Sequence, residues 1–338
     1  MFENTSKWAH YCIIGSTIVL ALYFLGGVVL PFILALFLTI LLLPIVNFLE
    51  KIWIANWLSS LIAVGILTSL LGGIGFFLFT EIEMMIRELP KQLSKDSIAI
   101  QNLQNMANSP DLAVKINEYS EDLLNFGISY MQKSISYISS TLLMIAMIPI
   151  YVFFMLMTRD RFDSFIIARY GKENIKIMST IKDIKQSIRH YILGLGSVIV
   201  IISALLSLGL YILDIPYWLL LGVLCGLLGL FPYVGVVVGA MLPLTIALLT
   251  KDALWYSIAV LALFALVQFL EGNVITPNIV GNAVNINPVA LMLGLLLMGV
   301  VSGILGLILT IPLLAVVRIL MASSTELNPL AKLLANKD

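Results

Sequence analysis

Apolar residues run along this chain in stretches of about 20 or more, separated by short polar interruptions. A stretch of that length spans a bilayer as a helix. The candidates are 11–29, 31–49, 57–80, 139–158, 191–213, 217–249, 253–272 and 289–321. They predict an all-α integral membrane fold with about eight transmembrane segments. Pro31 and Pro44 punctuate the first pair, which reads either as two short spans or as a re-entrant hairpin.

Two of the runs are too long for one straight crossing. Segment 217–249 would reach roughly 50 Å as a continuous helix, against a hydrocarbon core of about 30 Å. It holds Gly222, Gly226, Gly229, Pro232, Gly235, Gly239 and Pro243. A discontinuous helix or a hairpin, broken around Gly229–Gly235, is therefore expected. Segment 289–321 has the same excess length and similar punctuation, ending in Pro312. The two also align. Pro216 to Gly222 (PYWLLLG) matches Pro288 to Gly294 (PVALMLG) at an offset of 72, and the Pro243 and Pro312 neighbourhoods match at 69. Paired interrupted helices in corresponding positions point to a transport site. Gly222/Gly226, Gly235/Gly239 and Gly299/Gly303 permit close helix approach, within one subunit or between two.

The polar intervals have patterns of their own. Ser109, Pro110 and Asp111 read as a helix start. Leu112, Ile116, Tyr119, Leu123, Phe126 and Tyr130 then form a heptad-like apolar stripe. It packs between subunits or within one. From Arg159 to His190, Ile177, Ile181, Ile184 and Ile188 line one helical face and cations populate the rest. That suits an in-plane interfacial helix, or a solvated helix leading into the 191–213 span. The expected domains are 1–80, N-terminal membrane helices; 81–138, an extramembrane helical segment; and 139–338, a C-terminal membrane domain with the cytoplasmic amphipathic loop 159–190.

Charge decides orientation. Between Arg159 and His190 stand eight cations and four acids, so this loop is cytoplasmic by the positive-inside rule. Between Glu81 and Ile138 stand five cations and eight acids, which suits the opposite side. Alternation then puts both termini inside. Composition agrees with the class: of 338 residues, 60% are hydrophobic and 11% charged, against about 25% charged in soluble domains. The first apolar run leads straight into the second with no small-residue cleavage pattern, so a cleaved signal peptide is not expected. Zero net charge gives no reason to expect a nucleic-acid partner. Cys12, Cys225, His10 and His190 match no metal-site spacing, so neither metal nor cofactor is expected. No phosphate loop and no Ser-His-Asp or Cys-His set is present, so the chain does not read as an enzyme.

The candidate chemistry centres on Glu271. A carboxylate at the end of a membrane span is costly in hydrocarbon and by default marks a functional site. Gln268, Asn273 and Thr276 supply donors and acceptors around it for a small polar solute. Pro232, Gly235, Pro277, Gly281 and Pro312 are the candidate helix-break and gating positions. The competing role for Glu271 is an interfacial carboxylate that caps a following helix or meets water.

Phe231 to Gly235 (FPYVG), Glu271 to Gly281 (EGNVITPNIVG), Asn287-Pro288 and the Gly303, Gly306, Pro312 pattern together resemble the AI-2E family of bacterial inner-membrane permeases. The motif match covers about 217–321. Asn282 departs from it, where a basic residue is expected. The resemblance implies a secondary transporter in the inner membrane, exporting a small polar solute such as autoinducer-2, or exchanging H+ and Na+. It also implies a homo-oligomer. A passive channel and an oligomeric membrane scaffold are the alternatives.

Overall fold

The structure, a computed structural model, describes residues 2–93, 146–171, 174–231, 234–251, 253–280 and 285–336, and every regular element among them is helical. The stripe over 112–130, Pro232, Gly281 and Asn282 lie outside these residues. Helix α1 (Phe2–Lys51) is followed by α2 (Asn56–Leu93), α3 (146–170) and α4 (Ile175–Ile212). Then come α5 (Trp218–Leu228), α6 (Val234–Thr250), α7 (Trp255–Leu270), a π turn (Glu271–Ile275) and α8 (Thr276–Ile279). The chain closes with α9 (Pro288–Ser323) and α10 (Asn328–Leu334).

Two expectations change here. The pair of spans or hairpin expected over 11–49 is one helix of 50 residues. Pro31 and Pro44 each remove one backbone donor, whereas reversing the chain inside an apolar run would strand several. The charged stretch before His190 is not a separate in-plane helix, because α4 carries it without interruption into the apolar stretch. Ile184, Ile188 and Ile192 bury on the same face across that junction, which keeps the helix in register.

Among the described residues, five helical stretches are long and apolar enough to cross a membrane: Phe24–Lys51, Asn56–Glu88, Ile175–Ile212, Trp255–Ile279 and Pro288–Ser323. The expected count of about eight is not reproduced. Residues 11–49 merge into one helix, 217–249 splits into two short ones, and 139–158 is described only from residue 146.

The chain divides into two compact units. One gathers the described residues of 1–68, 141–193 and 282–338. Its first core joins Ala35, Leu42 and Val46 of α1, Ala63, Val64 and Leu67 of α2, and Val152 and Leu156 of α3. Its second joins Leu30 and Phe37 of α1 to Ile188 of α4 and Leu309 of α9. Two buried threonine hydroxyls are satisfied within their own helices. Thr39 Oγ1 donates to the Ala35 carbonyl at 2.7 Å, and Thr310 Oγ1 to that of Gly306 at 2.7 Å. That is how a helix hides a hydroxyl where no water reaches it. Glu50 and Arg159 form a poorly exposed ion pair between α1 and α3.

The other unit gathers the described residues of 69–140 and 194–281. Val198, Ile202, Leu206 and Leu210 recur every four residues on α4 and meet Leu221 and Cys225 of α5, Ile246 of α6 and Phe264 of α7. Outward faces are apolar in both units. In the first, Phe24, Val28, Phe32 and Leu36 of α1 and Val289, Leu293, Leu296 and Val300 of α9 are exposed; in the second, Val200, Leu208 and Tyr211 of α4 and Ile258 of α7 are. A water-soluble surface does not carry stripes this large, whereas lipid or a neighbouring subunit accepts them.

Candidate functional site

The first interrupted segment is a helical hairpin. Helix α5 ends at Leu228 and α6 begins at Val234. The contacts nest around the break. A Cβ on Gly235 would lie 1.7 Å from the Leu228 carbonyl oxygen, and one on Gly239 would lie 3.6 Å from Cys225. Cys225 Sγ donates to the Gly239 carbonyl at 3.1 Å. Partners that recede equally on both sides of the break define antiparallel arms. At the open end, Lys251 pairs with Asp214 at 2.6 Å and holds the two feet together. Beside that foot, Tyr217 donates to Glu88 at 3.5 Å.

Gly222 and Gly226 face α4 of the same chain. A Cβ would lie 2.1 Å from Ser207 Oγ at the first and 2.0 Å from Ser203 Oγ at the second. The small-residue pair on α5 thus fits a small-residue pair on α4 within one subunit, with the same four-residue spacing.

The second interrupted segment doubles back too. Within α9, Gly303 has φ 58° and ψ −140°, a conformation open essentially to glycine alone. Gly294 then meets Leu314 and Thr310, and Gly299 meets Leu307, contacts impossible along one straight helix. A Cβ on Gly306 would lie 2.2 Å from the Met298 carbonyl oxygen. The feet are again joined by a cation, Arg318 donating to the Asn285 carbonyl at 2.6 Å. Asn287 Oδ1 caps the first arm by accepting from the Val289 N–H at 2.9 Å, and the Asn287 N–H donates to the Leu334 carbonyl at 2.7 Å. Residue 231, central to the first break, and Gly303 are 72 apart, the offset at which Pro216 and Pro288 align. The sequence likeness is therefore a likeness of hairpins. The hairpin form expected as one option for 217–249 is the one seen, and Gly303 gives 289–321 the same form.

The chain does not break at Gly272 or Pro277. Helix α7 continues through the π turn into α8, giving one span of 25 residues, Trp255–Ile279. Pro277 supplies the local reason for the wide turn. It has no N–H for the Asn273 carbonyl and its ring crowds the preceding turn, and a wider register relieves both. The Thr276 N–H accordingly reaches back to the Glu271 carbonyl. The Asn273 side-chain amide donates to the Phe269 carbonyl at 2.8 Å, the acceptor its own backbone N–H would use in an α turn. Asn273 is thereby tied to the backbone through its nitrogen, leaving its oxygen for other partners. Glu271 is the one charged residue of the span and is partly buried, with Gln268 one turn back in hydrogen-bonding reach. Thr276 is partly buried, and Gln268 and Asn273 are exposed. Ile275, Ile279 and Val280 anchor the region on the core, Val280 fitting against Gly194 of α4. Gly235 sits on the second residue of α6, and Pro312 inside the returning arm of α9, nine residues past the reversal.

Sequence reasoning missed the π turn, the tie from Asn273 to Phe269 and the two cationic staples. The proline at 277 carried a signal for the first. The staples join residues 37 and 33 positions apart, and no local pattern encodes them.

A polytopic helical membrane protein with two hairpins and a lone carboxylate in a π-interrupted span has the architecture of a transporter. The chain matches the model of the AI-2E family transporters over residues 13–326, and it belongs to that family. It is 29% identical to YrrI of Bacillus subtilis (strain 168) over 86% of this chain and 85% of that protein. It is 27% identical to YueF of the same organism, over 87% and 84%. YrrI and YueF both carry provisional names as transport proteins. It is 23% identical to the AI-2 transport protein TqsA of Escherichia coli (strain K12), over 93% of this chain and 91% of TqsA. The protein is a multi-pass membrane transporter of the AI-2E family.

Proposed function

We propose that this transporter is secondary-active, with Glu271 binding the coupling ion and a small polar solute such as autoinducer-2 moving in exchange. The observation that carries the reading is the π turn, which holds the only charge of an apolar span in a helix that remains continuous. π turns occur often at functional sites, and a carboxylate kept in such a span has a large energetic cost without a role. Gln268, Thr276 and the free oxygen of Asn273 are the solute's hydrogen-bonding partners in this reading. Pro232, Gly235, Pro277 and Gly281 are the gating positions of this reading, whereas Pro312 lies in the returning arm, past the reversal at Gly303. The name of TqsA supports the solute class. Exchange of H+ for Na+ is the second reading, favoured by the lone acid.

The membrane is the bacterial inner membrane, and the 159–190 loop faces the cytoplasm, from its eight cations against four acids. A re-entrant hairpin returns the chain to the side it left, so the C-terminal end stays cytoplasmic. A single α1 that crosses once separates its ends, which removes the argument for a cytoplasmic N-terminus. The exposed apolar faces and the 112–130 stripe support a homo-oligomer.

Purified protein in proteoliposomes tests the reading. Wild type should export autoinducer-2 down a proton gradient, or acidify the lumen on Na+ release. Glu271→Gln should lose gradient-driven flux while eluting as a single species of unchanged size. Wild-type flux and pH profile in Glu271→Gln would refute the role of the carboxylate. Equal flux with and without a gradient in wild type identifies a passive channel instead.

A further inference from the structure

Within one unit, α1 and the N-terminal half of α4 line a cleft of about 650 Å3. Its chemistry is divided. Lys182, Lys185, Arg189 and His190 line it from α4, three cations and an imidazole on a single helical face. Ile40, Leu43 and Pro44 line it from α1, and Leu193 continues the α4 stripe into the apolar span.

Two observations say what fits. The first is charge. Lys185 pairs with Asp163 at 3.4 Å, while Lys182 and Arg189 pair with no carboxylate among the described residues. Asp183 is exposed, and it does not line the cleft. The balance in the cleft is therefore positive and largely uncompensated. The second is the direction of polarity. On α1 the lining runs from Asn47 back to Ile40, and on α4 from Lys182 to Leu193, each passing from polar to apolar. A free inorganic anion has no use for the apolar half. A cationic rim over an apolar floor, at the membrane boundary of two spanning helices, matches a phosphate headgroup with acyl chains attached.

We propose that this cleft is a binding site for an anionic phospholipid, with Lys182 and Arg189 on the phosphate and Leu43, Pro44 and Leu193 against the upper acyl chains. This is independent of any role for Glu271, and it stands or falls without a transport assay.

Native mass spectrometry of the full-length protein tests it, from micelles holding equal phosphatidylglycerol and phosphatidylcholine. Wild type should retain phosphatidylglycerol selectively. Lys182→Gln/Lys185→Gln/Arg189→Gln should weaken that retention roughly a hundredfold, about 1 kcal/mol per cation near an anionic surface. Arg161→Gln/Lys176→Gln/Lys332→Gln removes as much charge outside the cleft and should retain lipid as wild type does. Leu43→Trp fills the cleft with no change of charge and should also release the lipid, which covers the case of a cleft triple that fails to fold. Equal losses in the two triple variants would overturn the proposal, because retention would then follow net charge. Wild-type retention in Leu43→Trp would overturn it too. So would complete displacement of the lipid by excess inorganic phosphate, which assigns the cleft to a free anion.

Discussion

Gly235→Ala should open the first hairpin. The added Cβ would sit 1.7 Å from the Leu228 carbonyl oxygen, whereas ordinary contact begins at 3.4 Å. The obstacle is backbone at the end of α5, with no flexible side chain to swing away. The arms must therefore part by roughly half that contact distance, close to the tip. Forced overpacking costs about 1–3 kcal/mol and sometimes more. Helix propensity opposes it by at most about 1 kcal/mol, since alanine is the better helix former. Separation also stretches the hydrogen bond from Cys225 to the Gly239 carbonyl, worth about 1 kcal/mol. The net expectation is about 2 kcal/mol of destabilisation, or roughly 3 °C in melting temperature for a protein of this size. The assay is scanning fluorescence in a mild detergent, read beside size-exclusion profiles. Gly72→Ala is the matched comparison, because a Cβ there meets nothing within 4 Å and α2 gains propensity. It should melt at or slightly above the wild-type temperature. If Gly235→Ala melts with wild type, the arms are not in contact and the hairpin geometry is wrong.

Gly306→Ala should behave like Gly235→Ala, since its Cβ would lie 2.2 Å from the Met298 carbonyl, and the same melting assay reads it. Arg159→Gln leaves Glu50 poorly exposed without its partner and should cost about 2 kcal/mol or more. Glu50→Leu/Arg159→Leu should recover most of the loss, a contrast that chemical unfolding measures. Asn273→Ala removes the donor to the Phe269 carbonyl and should destabilise the π turn by about 1 kcal/mol, seen as faster hydrogen exchange over 269–276. A reporter inserted after Lys176 should read cytoplasmic and one near Asn108 extracytoplasmic, and the reverse pattern would sink the orientation.

The apolar runs determined by themselves that this chain lives in a membrane as helices. Burial of 20 apolar residues outweighs every weaker preference, and a bilayer forbids unpaired backbone. Length did the same for 217–249: a helix too long for the bilayer and full of glycine has to break, and the glycines marked where. The lone charge singled out Glu271 because hydrocarbon makes its cost visible in one dimension. Tertiary structure decided what local pattern leaves open. Pro31 was read as a bend and is passed by an unbroken helix, because one lost hydrogen bond costs less than a reversal inside an apolar run. Pro277 was read as a break, and a wider register absorbs it. The second hairpin turns at Gly303 and passes Pro312 undisturbed, since a reversal needs a φ that proline cannot adopt and glycine can. Lys251 with Asp214, and Arg318 with the Asn285 carbonyl, meet only after each hairpin has closed. No periodicity in the sequence records a contact that folding itself creates.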